Sequence, residues 1–217
     1  MQLQSEKTSL VLAGAWNPAI LTPQWIARNA LGFAPDREFQ IGMQLPILDF
    51  GQAPRITFED LAVTATPAIF TLFLDPNKPE QIQKSIEVAR TIVRLLPHTP
   101  ISGVGLNFVY FSNQVGNLIE SSFEGQGGIL NHLPENEQEV KIVQQAWHAS
   151  IAFSDHVANM SCKKNATGVE IGVNHHFDVS SAERAGEVIS KATLYADLFD
   201  LSNALLKGLE DEAPNEH

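Results

Sequence analysis

The sequence predicts an α+β fold of two tandem strand-helix-three-strand-helix units, with antiparallel sheets each covered by a long helix, related as a pseudo-two-fold duplication. Three observations lead there. The same order of strand and helix patterns is read twice, dividing the chain into units at 1–97 and 98–217. At an offset of 103 residues, Phe50 falls on Phe153, Leu74 on Phe177, Asp75 on Asp178, Ile86 on Ile189 and Ala89 on Ala192. Apolar residues make up 44% of the chain and charged ones 18%, a balance that builds a core rather than a disordered chain or a membrane bundle. A compact fold of this length buries about 70% of the surface its unfolded chain exposes.

Thr8–Ala15 is an apolar strand, closed by Asn17-Pro18 because proline removes a donor and restricts the residue before it. Thr22-Pro23 is an N-cap followed by proline at the first helical position, which predicts a short helix over Pro23–Leu31 ended by Gly32. Strands are predicted over Glu38–Leu45, Arg55–Thr64 and Ala68–Leu74. From Pro79, the residues Ile82, Ile86, Ala89, Val93 and Leu96 recur at helical spacing until Pro97 stops them.

The second unit repeats the order with a strand over Ile101–Phe111 and a helix over Val115–Phe123. A polar loop over Gly125–Glu137 follows, then strands over Val140–Phe153, His156–Lys164 and Val169–Phe177. One long final helix is expected from Ser180 or Ser181 to about Leu209, with Ser180 and Glu183 at capping-box spacing, and then an acidic tail. In topology alone, with no shared motif, this order is similar to the duplicated saddle of TATA-binding proteins. A long last helix over a curved sheet is also similar to helix-grip ligand-binding folds.

The formal net charge is −11, and the 14 lysines and arginines are scattered, so a nucleic-acid or anionic-membrane surface is repelled at long range. DNA binding is therefore not carried over from the saddle. No apolar run approaches the roughly 18 residues of a bilayer span, and Met1–Thr8 lacks the pattern of a signal peptide. The single cysteine, Cys162, excludes an internal disulfide and a multi-thiolate metal site. A cytoplasmic location is expected.

Phosphate-binding loops, a nucleophile elbow and an H-E-x-x-H helix are all missing. The one local concentration of chemistry is Asn174-His175-His176-Phe177-Asp178 before the last helix. Strand alternation sets Ile171, Val173, His175 and Phe177 on one face and Asn174, His176 and Asp178 on the other. His175 is thus expected at the core, partly buried and hydrogen-bonded. His176 and Asp178 are the catalytic candidates, as an acid–base pair or as ligands of a divalent metal with His148 and His156. The plainer reading of Asp178 is an acid complementing the dipole of the following helix. Trp16, Trp25 and Trp147 are candidates for partner binding, or for packing at the sheet ends.

No convergent catalytic set emerges, so the first expectation is a noncatalytic protein-binding or assembly protein that self-associates through sheet edges or faces. Its partner is then itself or another protein, with no nucleic acid, membrane or cofactor. The alternatives are a metal-assisted hydrolase or isomerase using His176 and Asp178, and a small-ligand carrier with a cavity between sheet and final helix.

Overall fold

The computed structural model describes residues 1–45, 53–113, 123 and 144–210. They form a mixed α+β structure around one antiparallel ten-stranded sheet with helices on one face. The strands are β1 (Gln2–Leu3), β2 (Ser9–Gly14), β3 (Gly42–Gln44), β4 (Arg55–Phe58), β5 (Leu61–Ala65), β6 (Ile69–Phe73), β7 (Ile101–Ser112), β8 (Gln144–Ala152), β9 (Val157–Asn165) and β10 (Gly168–Asp178). Their spatial order is β3-β4-β5-β6-β2-β7-β10-β9-β8, and β1 also pairs with β7. Strands β2 and β7 join the halves, setting Leu10 opposite Leu106 and Leu12 opposite Val104.

The core face carries Leu10, Leu12, Phe70, Leu72, Val104, Leu106, Phe108, Ile171, Val173 and Phe177, all buried. Over it lie α1 (Pro23–Trp25, continued by a π turn over Ile26–Ala30), α2 (Pro79–Leu95), α3 (Ala182–Ile189) and α4 (Leu194–Glu210). Thr22 caps α1 as expected, its hydroxyl accepting from Trp25 N at 3.2 Å, and Gly32 closes the segment in the left-handed region with φ 68°. Helix α2 buries Ile82, Ser85, Val88, Ala89, Ile92 and Val93 and packs beside α3.

Two expected elements are broken in two. Arg55–Thr64 is a hairpin, because Phe58 and Leu61 are both 1% exposed. Three residues apart, they would face opposite sides of one strand. A turn at Glu59-Asp60 brings both to the core, with Glu59 in the left-handed region at φ 48° and tied to Arg37 and Lys84. The single final helix is instead α3 and α4, interrupted at Ser190–Thr193. Ser190 Oγ turns back to donate to Gly186 O at 2.6 Å, and Asp197 N bonds Thr193 O at 2.9 Å to start α4. On one side of the break α3 packs on α2 and β7, and on the other α4 packs on β7. The cap of α3 is Ser181 rather than Ser180, accepting from Arg184 N at 3.1 Å.

Strand β3 covers only Gly42–Gln44 of the expected Glu38–Leu45. The predicted helix over Val115–Phe123 lies outside the described residues except for Phe123, a buried turn residue. The polar loop over 125–137, the first residues of the expected strand at 140–143, and the acidic tail beyond 210 also lie outside them. Among the described residues, no helix is long and apolar enough to cross a membrane.

Candidate functional site

Strand β10 sends its two histidines to opposite faces, as alternation requires. His176 is on the uncovered face, its Nε2 3.1 Å from Asp178 Oδ1, and the Asp178 side chain is 90% exposed. Gly103 across the ladder leaves room for the ring, since a β-carbon there would stand 2.5 Å from His176 Cε1. His148 shares that face but is paired with Ser161, four rungs along the strand from the Val157 rung opposite His176. His156 is on the core side. The four proposed metal donors are therefore dispersed over two faces, and among the described residues no group of three His, Cys, Asp or Glu is arranged to hold a metal ion.

The uncovered face carries an unbroken polar row across five strands. Ser150 Oγ donates to Asn159 Oδ1 at 2.7 Å, Asn159 Nδ2 to Asn174 Oδ1 at 3.4 Å, Asn174 Nδ2 to Asn107 Oδ1 at 2.6 Å, and Asn107 Nδ2 to Ser9 Oγ at 3.1 Å. All five lie on one cross-strand rung, because Ser9 is opposite Asn107, Asn107 opposite Asn174, Asn174 opposite Asn159 and Asn159 opposite Ser150. Four residues of the row, Ser9, Asn107, Asn159 and Asn174, line an open recess of about 350 Å³ together with Gly172, Lys7, Glu170 and Lys163. Lys7 pairs with Glu170 there.

His175 stands on the other side of the same strand in a sequestered polar chain. It is 0% exposed, with Nε2 2.8 Å from Ser202 Oγ on α4 and Nδ1 3.1 Å from His156 Nε2. Ser202 donates to Leu198 O at 2.9 Å. His156 Nδ1 is 2.8 Å from Asp155 Oδ1, and Lys191 Nζ donates to Asp155 Oδ2 at 3.0 Å. The His156 ring is stacked between Phe153 and Phe177, with centroids at 4.7 and 4.9 Å. Burial, together with the neighbouring His156, lowers the His175 pKa to about 4, which keeps its ring neutral. The ring nitrogen of His156 and the ammonium of Lys191 hold the Asp155 carboxyl below the usual carboxylate range.

The three tryptophans lie in or against the core. Trp16 is 5% exposed, donates Nε1–H to Leu12 O at 2.9 Å and lies 5.7 Å from the Phe70 ring. Trp25 and Trp147 are half-buried against the core, and the Trp147 indole N–H has no acceptor among the described residues. Between β7 and α4, Phe108 packs on Tyr195 and Phe199 with centroids 5.5 and 5.7 Å apart. Cys162 is wholly buried on β9, and burial pushes its thiol up to about 11. No protein-family model matches the chain, and no curated protein matches it.

Proposed function

We propose that this chain is a noncatalytic assembly protein that associates with copies of itself through the outer edge of β8. The observation that carries the reading is the character of that edge. Strand β8 is nine residues long, Gln144–Ala152, and has no lysine, arginine, carboxylate or proline. Among the described residues no strand pairs with its outer side. Sheet edges in monomers are blunted by such residues, and an unblunted one is a template for pairing. The opposite edge, β3, spans only three residues and is too short for a comparable ladder.

A second copy is the occupant best suited to β8. Antiparallel self-pairing about a two-fold gives a closed assembly from one surface, and the net charge of −11 opposes open-ended aggregation. The buried, weakly acidic Cys162 suits a reducing cytoplasmic setting.

The same reading includes an origin by duplication of a unit spanning 1–97 onto 98–217. It is supported by the shared strand order, β2-β6-β5-β4 in one half and β7-β10-β9-β8 in the other. The helices that follow β6 and β10 also pack beside each other on the same face.

Light scattering at micromolar concentration is the test. A dimer or other closed oligomer is expected from the wild type and a monomer from His148→Lys, which places a cation at the middle of the edge. A wild-type monomer would remove the proposal. An oligomer unchanged by His148→Lys would move the contact away from β8.

A further inference from the structure

We propose that Asp155, His156, His175 and Ser202 form a proton-coupled switch, in which the charge on His156 sets the tautomer of buried His175 and, through the Ser202 hydroxyl, how α4 is held on the sheet. The argument rests on which atoms can donate. Asp155 is an acceptor only, so the His156 Nδ1 lying 2.8 Å from its Oδ1 carries a proton in either charge state. The contact that changes is the one between the two rings, where His156 Nε2 and His175 Nδ1 are 3.1 Å apart and share one proton.

When His156 is an imidazolium, its Nε2–H donates to His175 Nδ1. His175 is neutral, so its single proton is then on Nε2 and goes to Ser202 Oγ, while the Ser202 hydroxyl donates to Leu198 O. When His156 loses a proton, its Nε2 becomes an acceptor. His175 must then carry its proton on Nδ1, its Nε2 becomes an acceptor, and the Ser202 hydroxyl turns from Leu198 O to face it. The chain holds one proton fewer and the helix carbonyl has lost a donor. Between the two states the inter-ring proton passes from His156 Nε2 to His175 Nδ1, and the proton given up to solvent is the one that His175 Nε2 held against Ser202.

The His156 ring is stacked on Phe153 and Phe177 and faces the Asp155 carboxylate. Lys191 is bonded to Asp155 and stands 5.6 Å from the Phe177 ring centroid. From β10 the group facing His156 is neutral His175. From α4 it is reached only through Ser202 and the Leu198 carbonyl, and Tyr110 of β7, bonded to Asn203, stands next to Ser202 with its phenol pushed up by burial. The device links three elements distant in sequence: the β8–β9 hairpin, β10 and α4.

Nitrogen-15 correlation spectra of the histidines, recorded on the full chain from about pH 5 to about pH 8.5, read the switch directly. The expected result is a His175 ring that stays neutral while its proton passes from Nε2 to Nδ1, at the midpoint of His156 titration. Near that midpoint the tautomer ratio changes by about tenfold per pH unit. In Asp155→Asn the loss of the carboxylate should lower both midpoints together, and in His156→Gln the His175 tautomer should stop responding to pH. Amide exchange in α4 should step at the same midpoint in the wild type and not in Ser202→Ala. A His175 tautomer constant across the His156 titration, or a midpoint that shifts for only one ring in the exposed Asp155→Asn variant, would overturn the proposal.

Discussion

His175 Nε2 sits 2.8 Å from the hydroxyl of Ser202, joining strand β10 to helix α4 through two side chains that are both 0% exposed. Replacing His175 by alanine removes ring packing against Phe108 and strands its hydrogen-bond partners, so a loss of about 1–3 kcal/mol is expected. His176, one residue on, bonds only the exposed Asp178 among the described residues, and its replacement by alanine should cost less than about 0.5 kcal/mol. Urea denaturation of the two variants checks the contrast. Equal losses would contradict the division of the histidines between the two faces.

The same burial makes stability depend on pH. The unfolded chain protonates His175 near 6.5, whereas the folded chain resists until about 4. Between those values the unfolded state binds more protons, so this contribution is complete above pH 6.5, declines as the pH falls through the window and is gone below about 4. Its full size is on the order of 3 kcal/mol. Asp155 is depressed as a carboxylate, so its own contribution is lost in a lower window, as the pH falls below the ordinary carboxylate value. Urea midpoints of wild type and His175→Leu, compared at several pH values, isolate the histidine. The variant should lack the slope between about pH 6.5 and about pH 4.

Gly168 opens β10 at φ 147°, and a β-carbon there would lie 2.3 Å from Ser112 O. Both the backbone region and the backbone neighbour oppose any side chain. Gly168→Ala should therefore destabilise the protein by about 1–3 kcal/mol, read as a lowered melting temperature. Gly32, also left-handed at φ 68° but with nothing within 4 Å of the added carbon, should lose less, because only the backbone cost of about 1 kcal/mol applies.

Cys162 should be inert toward a disulfide reagent at neutral pH in the folded protein, because it is inaccessible and its thiol is pushed up to about 11. In urea it should react at the rate of a free thiol. Rapid reaction of the native protein would show that β9 opens on its own.

The regular parts of this fold were legible where one periodicity ran unbroken. Strands β2, β6, β7, β9 and β10 and helix α2 stand within about two residues of where alternation, helical spacing and proline put them. The misses have local causes. Glu59 offers no glycine or asparagine to announce a turn, and only the paired burial of Phe58 and Leu61 betrays the hairpin. The break at Ser190–Thr193 contains neither glycine nor proline.

At the histidine chain, alternation places His175 on the core face, and it places His156 there too, at even spacing with buried Ala158, Met160 and Cys162 and so away from His176 and Asp178. The Phe153–His156 turn, closed by Phe153 N to His156 O at 2.8 Å, holds the ring at the start of that strand. Ser202 carries a signal in its spacing. Leu194, Leu198, Ser202 and Leu206 recur every four residues and are all buried, so the hydroxyl faces the sheet, where it meets His175 in addition to the Leu198 carbonyl of its own helix.

The row from Ser150 to Ser9 has a sense of direction. Every amide in it gives its N–H toward β2 and takes from the side of β8, so the dipoles add head to tail. Rotating a single amide by half a turn would set nitrogen against nitrogen on one side and oxygen against oxygen on the other. The row therefore reverses as a whole or not at all.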